Sequence, residues 1–119
     1  FYLDWFTKQG VTLALATDDG SLGDHGLVTV PLERALSDRG ERKVTIYACG
    51  PEPMLAAVAK LASSHDVSSQ VSVERVMGCG MGGCYSCVIP VRTSTGSSYV
   101  RSCIKGPVFD GAAIDWETS

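Results

Sequence analysis

The pattern of hydrophobic and polar residues predicts alternating helices and strands in the first 75 residues. An amphipathic helix is predicted over residues 1–9, a second from a capping Thr29 to about residue 37, and a third over 52–64, where apolar residues follow a 3.6-residue period. Apolar runs typical of buried strands lie at Val11–Ala16, Lys43–Ala48 and Gln70–Val73. This order predicts an α/β fold with a parallel sheet of the doubly wound class.

The second part of the chain, residues 76–119, has a different pattern. No long helical period is present, and short β-like runs alternate with Gly, Ser, Thr and Pro: Cys87–Val91, Tyr99–Val100 and Val108–Phe109. We therefore expect two domains, 1–75 and 76–119, the second a small β-rich lobe. A lobe of this size rarely folds on apolar burial alone, so a bound metal group is expected to stabilise it.

Composition excludes several classes of partner. The chain has 119 residues, is 45% hydrophobic and carries a net charge of −3. This balance predicts a packed domain without the basic patch that nucleic acid or an anionic membrane surface requires. No apolar run is long enough to cross a bilayer. We expect neither nucleic acid nor a membrane as a partner.

Four of the five cysteines follow a spacing typical of a metal centre. Cys79, Cys84, Cys87 and Cys103 form the pattern C-x4-C-x2-C…C, the plant-type arrangement for a [2Fe–2S] cluster. Glycines among the first three permit the positive φ angles that a backbone wrapped round a cluster needs. An odd cysteine number argues against a disulfide framework, and thiolate ligation implies a reducing compartment, which we take to be the cytoplasm.

Zinc is the alternative occupant of these thiols. Four-cysteine zinc sites usually consist of two pairs with short gaps, whereas here a tight triplet precedes a single distant cysteine. The spacing favours the cluster, and a zinc-stabilised interaction module without redox activity stays open as the rival from another functional class.

Two stretches of the first domain have a nucleotide-binding interpretation. Cys49, Gly50 and Pro51 follow a predicted strand and open a helix, the place where ligands bind in open α/β sheets. Asp18 and Asp19 follow another strand, where a carboxylate can accept hydrogen bonds from ribose hydroxyls and favour NAD. The alternatives are a structural cysteine with a simple turn, and a solvated acidic turn.

The residues of these stretches resemble the electron-transfer subunit of class 1B dihydroorotate dehydrogenase, in the ferredoxin–NADP reductase superfamily. The resemblance covers almost the whole chain and rests on four segments: 17–23, 47–54, 74–87 and 103–110. In that family a flavin-binding barrel precedes an NAD-binding α/β domain and a [2Fe–2S] lobe. The resemblance implies that residues 1–75 are the C-terminal half of the NAD domain and that the FAD site lies outside this fragment.

The resemblance also implies roles for individual residues. Cys79, Cys84, Cys87 and Cys103 would ligate the cluster, the segment beginning at Cys49 would face the nicotinamide, and Asp18 or Asp19 the adenosine ribose.

The implied function is electron transfer in pyrimidine biosynthesis. Electrons from dihydroorotate oxidation, at a flavin on a catalytic partner subunit of a heterotetramer, would pass through the cluster to FAD and NAD⁺, and the fragment alone is expected to be inactive. The alternative within the same architecture is a subunit of an NAD(P)H-dependent ferredoxin or sulfide reductase, or of a hydrogenase diaphorase. Such relatives can have aspartate as first ligand, and Cys79 at that position favours the dihydroorotate family.

Overall fold

The computed structural model describes residues 2–118, which divide into two compact units between Gly40 and Glu41. Four helices and seven strands lie in this described range. The helices are α1 Leu3–Lys8, α2 Thr29–Ser37, α3 Glu52–Ser64 and α4 Ser102–Lys105. The strands are β1 Ala16–Thr17, β2 Asp24–His25, β3 Thr45–Cys49, β4 Ser68–Ser72, β5 Val88–Thr93, β6 Gly96–Arg101 and β7 Val108–Asp110.

The first unit is built round a short parallel pair, β1 with β2, flanked in sequence by α1 and α2. The amide of Asp24 donates to the carbonyl of Leu15 at 2.7 Å, and the intervening Gly23 has φ 76°. A Cβ on Gly23 would overlap Leu15, so this turn requires glycine. Arg34 of α2 pairs with the Asp24 carboxylate at 3.0 Å and thereby ties the helix to β2.

The second unit contains a three-stranded sheet and a hairpin. The sheet has the order β3-β4-β7, in which β3 and β4 are parallel and β7 is antiparallel to β4. Helix α3 connects the two parallel strands, as expected of a βαβ crossover. Strands β5 and β6 form the antiparallel hairpin, which is joined to the C-terminal segment by a bridge between Val91 and Ile114.

One apolar core holds the second unit together. Its members come from α3, from β4 and the residue after it, from β5 and from the C-terminal segment: Leu55, Val71, Val73, Ile89 and Ile114. The core therefore draws residues from both sides of the expected boundary between residues 75 and 76. That boundary between an NAD domain and a cluster lobe stays a prediction.

Several predicted elements are confirmed. Helix α3 has the expected bounds, α2 ends at Ser37 as expected, and β3 to β7 lie at or within a few residues of the predicted runs. The four-residue helix α4 and the strand β2 were not predicted. No helix in the described range is both long and apolar enough to cross a membrane.

Two expectations about strands and one about a helix cap were wrong. Of the predicted strand Val11–Ala16 only Ala16 is paired, as the first residue of β1. The partner of β1 is β2 instead of the β3-β4 sheet, and residues 11–14 are exposed. Strand β3 alternates exposed with partly buried residues and is not buried throughout. Thr29 is the first residue of α2 and makes no capping hydrogen bond, the cap position being Val28. An apolar run forms a fully buried strand only where other elements pack on both of its faces. The local sequence does not show whether such elements are present.

Candidate metal centre

The three clustered cysteines lie on an irregular loop, residues 77–87, between β4 and β5. The backbone takes positive φ at Gly80 (66°), Gly82 (84°) and Tyr85 (60°). Repeated left-handed turns point successive amides toward the inside of a loop, and glycine adopts them without steric cost. The glycine-rich sequence therefore curls the chain round the cysteine side chains, as the pattern predicted.

Backbone amides surround the Cys79 sulfur. The Gly83 amide donates to Cys79 Sγ at 3.2 Å. Hydrogen bonding to the amides of Cys84 and Met81, with further contributions from the Cys84 side chain and the Gly83 amide, lowers the pKa of Cys79 to about 6. These donors stabilise a thiolate, which is the form that binds metal.

A serine organises the neighbourhood of Cys84. Its oxygen, Ser86 Oγ, accepts from the Gly78 amide at 2.9 Å, donates to the Val76 carbonyl at 2.9 Å and lies 3.1 Å from Cys84 Sγ. A Cβ on Gly78 would lie 2.9 Å from the Cys84 sulfur, so a side chain there would displace it. Ser86 thus closes the loop on itself and positions the second sulfur.

The remaining pair, Cys87 and Cys103, is joined through α4. The amide of Ser102 donates to the Cys87 carbonyl at 3.0 Å. Hydrogen bonds from the Cys103 amide and side chain lower the pKa of Cys87, and the same side-chain contact, together with burial, raises the pKa of Cys103. The charges of Cys87 and Cys79 also raise the pKa of Cys103, so the first and fourth cysteines act on one another.

The four thiols therefore stand as two neighbouring pairs, Cys79 with Cys84 and Cys87 with Cys103. In residues 2–118 no three His, Cys, Asp or Glu side chains are placed closely enough to hold a metal ion as they stand. The donor set nevertheless fits a [2Fe–2S] cluster: four thiols, amides directed at sulfur and a thiolate favoured at Cys79. The assignment of the four ligands stays a prediction.

An arginine that the sequence interpretation missed fastens the loop to β6. The guanidinium of Arg101 donates to the Gly82 carbonyl at 2.5 Å and lies 4.7 Å from the centre of the Tyr85 ring. Gly82 is buried, and a Cβ there would overlap Ile104 of α4. In the sequence, only the position of Arg101 two residues before Cys103 suggested this role. The sequence does not show which loop a long side chain reaches.

The segment predicted to face nicotinamide ends β3. Cys49 is exposed there, and Gly50 has φ 147°, with the Met54 side chain against it. A cavity of about 160 Å³ lies beside Gly50, Pro51, Glu52, Leu55, Val73 and Glu74. Glu52 at the start of α3 pairs with Arg75 at 2.6 Å, which links this segment to the chain leaving β4.

The predicted ribose-binding carboxylates lie in the first unit, in the turn after β1. Asp19 Oδ1 accepts from the Ser21 amide at 3.0 Å, and hydrogen bonding from Ser21 lowers the pKa of Asp19. Asp18 beside it is exposed. The structure thus gives Asp19 a role in its own turn, and the ribose contact of either residue stays a prediction.

Comparison with known proteins bears on the metal centre directly. Residues 74–115 match a family model described as the iron-sulfur cluster binding domain of dihydroorotate dehydrogenase B. This range contains all four cysteines of the two pairs.

The same family appears among curated relatives of the whole chain. An electron transfer subunit of dihydroorotate dehydrogenase B (NAD(+)) from Desulforamulus reducens is 36% identical over 112 residues, covering 94% of this chain and 42% of that protein. Subunits of the same name from Caldanaerobacter subterraneus subsp. tengcongensis and Geobacillus kaustophilus are 41% and 42% identical. The resemblance to this family is confirmed. The chain spans 41 to 42% of the length of these relatives.

A solved structure extends the comparison to the fold. The structure reported as "Insights into flavin-based electron bifurcation via the NADH-dependent reduced ferredoxin-NADP oxidoreductase structure" matches 98% of this chain and 40% of its own. The TM-score is 0.75 at 28% sequence identity. This likeness supports the α/β fold class that was predicted from the order of elements.

Proposed function

We propose that this chain is part of an electron-transfer subunit that relays electrons from dihydroorotate oxidation to NAD⁺, in pyrimidine biosynthesis. The observation that carries the proposal is the arrangement of Cys79, Cys84, Cys87 and Cys103 as adjoining pairs with amides directed at sulfur, inside residues 74–115. Oxidation of dihydroorotate to orotate releases two electrons and two protons. Reduction of NAD⁺ takes both electrons and one proton, and the other proton passes to water.

The four cysteines would hold a [2Fe–2S] cluster. When bound, such a cluster accepts and donates one electron at a time, which suits an exchange between flavins. The chain's own contribution is positional. The Gly83 amide and Ser86 hold the sulfurs of Cys79 and Cys84, and Arg101 keeps the loop against β6.

The rest of the subunit follows from the same proposal. Residues 1–75 would be the later half of a doubly wound NAD-binding domain, with Cys49, Gly50 and Pro51 toward nicotinamide and Asp18 or Asp19 toward ribose. FAD would bind to a part of the subunit outside this sequence, so the chain alone would not catalyse the full reaction. Thiolate ligation would require a reducing compartment, which supports the cytoplasm as the location.

The catalytic subunit would dock beside the cluster loop and complete a heterotetramer. Apolar side chains near the cysteines are exposed: Met81 by 82%, Tyr85 by 60% and Ile104 by 52%. Lys105 is exposed next to Ile104. Exposed apolar groups with a charge at their edge are typical of a protein interface. Lys105→Glu should weaken complex formation, and unchanged binding after several such reversals would exclude this face.

Ligand assignment is tested with two cysteine variants. Cys84→Ser should lose iron and acid-labile sulfide, whereas Cys49→Ser, a matched change at an exposed cysteine outside the loop, should keep both. The wild-type protein should be red-brown and give a reduced-state EPR signal. A colourless protein that contains zinc and no sulfide would establish the interaction-module alternative, and a normal iron and sulfide content in Cys84→Ser would refute the assignment.

The ribose assignment is tested in the intact subunit. Asp18→Ala combined with Asp19→Ala should weaken NADH binding, and an unchanged affinity would dismiss the role. Asp24→Ala is the matched control, because that carboxylate is already paired with Arg34.

A second candidate is a subunit of a ferredoxin-linked NAD(P)H reductase. The solved structure with TM-score 0.75 favours it, since that protein is an NADH-dependent reduced ferredoxin-NADP oxidoreductase. The electron donor separates the two. Reduction of the cluster by the dihydroorotate-oxidising subunit supports the first function, and reduction by ferredoxin alone supports the second.

A further inference from the structure

A buried hydroxyl without a partner lies beside the metal centre. Ser102 is 0% exposed, and its Oγ has no hydrogen-bond partner among residues 2–118. Buried polar groups in native proteins are nearly always paired, because an unpaired one loses its bonds to water without compensation. A fully buried hydroxyl in this state therefore points to an acceptor that binds at this place.

The backbone of Ser102 ties the fourth cysteine to the third. Its amide donates to the Cys87 carbonyl at 3.0 Å, and its carbonyl accepts from the Gly106 amide at 2.9 Å. With both backbone groups used, the hydroxyl is the polar group of this residue that is left. Cys103 follows directly in the chain, and Cys87, the neighbour across the hydrogen bond, is only 3% exposed.

The hydroxyl is within reach of the Cys87 sulfur. Hydrogen bonding from the Ser102 side chain is among the effects that lower the pKa of Cys87, after those of the Cys103 amide and thiol. In this structure Ser102 Oγ forms no hydrogen bond within residues 2–118, so its proton is available to an acceptor.

The other serine of the site differs in this respect. Ser86 Oγ has partners in the Gly78 amide and the Val76 carbonyl as well as in Cys84. Its single proton is donated to the Val76 carbonyl. The proton of Ser102 has no competing acceptor, so a sulfur can receive it undivided.

We propose that Ser102 is a positioning residue whose hydroxyl donates a hydrogen bond to Cys87 Sγ when the cluster is held, and thereby raises the reduction potential. The inference rests on the cluster of the proposed function. Hydrogen bonds to cysteine sulfur stabilise the reduced cluster, which carries one more negative charge, more than the oxidised one. Because Ser102 and Cys87 are both buried, solvent does not mask the effect of this hydrogen bond.

Three variants of the full chain, reconstituted anaerobically with iron and sulfide, test the proposal. Ser102→Ala removes the hydroxyl, Ser102→Thr retains it, and Ser98→Ala makes the same change at an exposed serine on β6. We expect a more negative potential in Ser102→Ala by EPR-monitored titration, and near wild-type potentials in the other two. Loss of the cluster from Ser102→Ala with retention in Ser102→Thr would equally support the hydrogen bond.

Two results would overturn the inference. One is an unchanged potential in Ser102→Ala with full iron and sulfide content. The other is an equal shift, or equal loss of the cluster, in Ser102→Ala and Ser102→Thr, since packing and not the hydroxyl would then be responsible. Absence of iron and sulfide from the wild-type protein would refute the proposed function itself, so the two failures are distinguishable.

Discussion

The apolar core and the cysteine loop of the second unit are stabilised in opposite ways. In the core, Leu55, Val71, Ile89 and Ile114 are at most 1% exposed and pack on one another. In the loop of residues 77–87 most side chains are exposed, and the backbone is held by hydrogen bonds to sulfur, to a serine and to an arginine.

This difference separates folding from cofactor binding. Apolar burial is additive and non-directional, so the core stabilises the unit whatever the loop holds. A loop whose backbone amides are directed at the Cys79 sulfur cannot also bury large side chains, and its order depends on a few directional contacts. The scaffold is therefore expected to fold without the cluster, whereas the loop needs it.

The largest expected effect tests the core. Leu55→Ala should lower the free energy of unfolding by about 2–5 kcal/mol, because it removes a fully buried side chain and leaves a cavity. Urea unfolding followed by circular dichroism measures it. Tyr47→Ala is the control at a side chain 79% exposed, with an expected change within about 0.5 kcal/mol. Equal losses in both variants would contradict this assignment of the core.

The next effect separates the loop from the core by removing the cluster. Chelation of iron from the reconstituted protein should speed amide exchange in the loop, including Gly83, by roughly tenfold or more. The Val73 amide, which donates to the Pro107 carbonyl at 3.0 Å, should change little. Hydrogen–deuterium exchange with mass spectrometry reports both regions at once. Equal acceleration in both would show that the core depends on the cluster.

A smaller effect is expected from the arginine that fastens the loop. Arg101→Met removes the hydrogen bond to Gly82 and the cation over the Tyr85 ring, at a cost of about 1 kcal/mol in stability. Arg101→Lys should lose less, because it retains the charge. Chemical denaturation of both variants provides the measurement. If the stability of Arg101→Met equals that of the wild type, Arg101 does not stabilise the loop, and Ser86 and the cysteines alone anchor it.

The smallest effect concerns the C-terminal segment that contributes Ile114 to the core. Hydrogen bonds from Ser97 and then Thr118 hold the pKa of Asp115 below its ordinary value of 3.8. A carboxyl with a lowered folded pKa adds stability above its unfolded pKa and loses it as pH falls through the folded one. Ser97→Ala should therefore lower the melting temperature near neutral pH, with the gap closing in acid.

Thermal unfolding of Ser97→Ala and wild type over the pH range measures that gap. Ser98→Ala, the neighbouring exposed serine, should show no pH-dependent difference. A Ser97→Ala deficit that stays constant into acid would mean that the Asp115 carboxylate is not its cause.

Local sequence determined the elements whose information is local. Helix α3 has the bounds that its 3.6-residue apolar period predicted, and two glycines of the cysteine loop, Gly80 and Gly82, adopt the positive φ angles expected there. The spacing of the four cysteines likewise predicted a metal centre, and residues 74–115 match a family named for one. In each case the information lies in a short stretch or in a simple spacing along the chain.

Tertiary structure alone decided what depends on partners far away in sequence. It pairs β7 with β4, so a strand that follows the cysteines in sequence completes a sheet whose other strands precede them. It also pairs β1 with β2. It also buries Ser102 against Cys87, fifteen positions earlier, with its hydroxyl unpaired. Composition and periodicity report which surfaces are apolar, but not which surfaces meet, because that choice belongs to the packing of the whole unit.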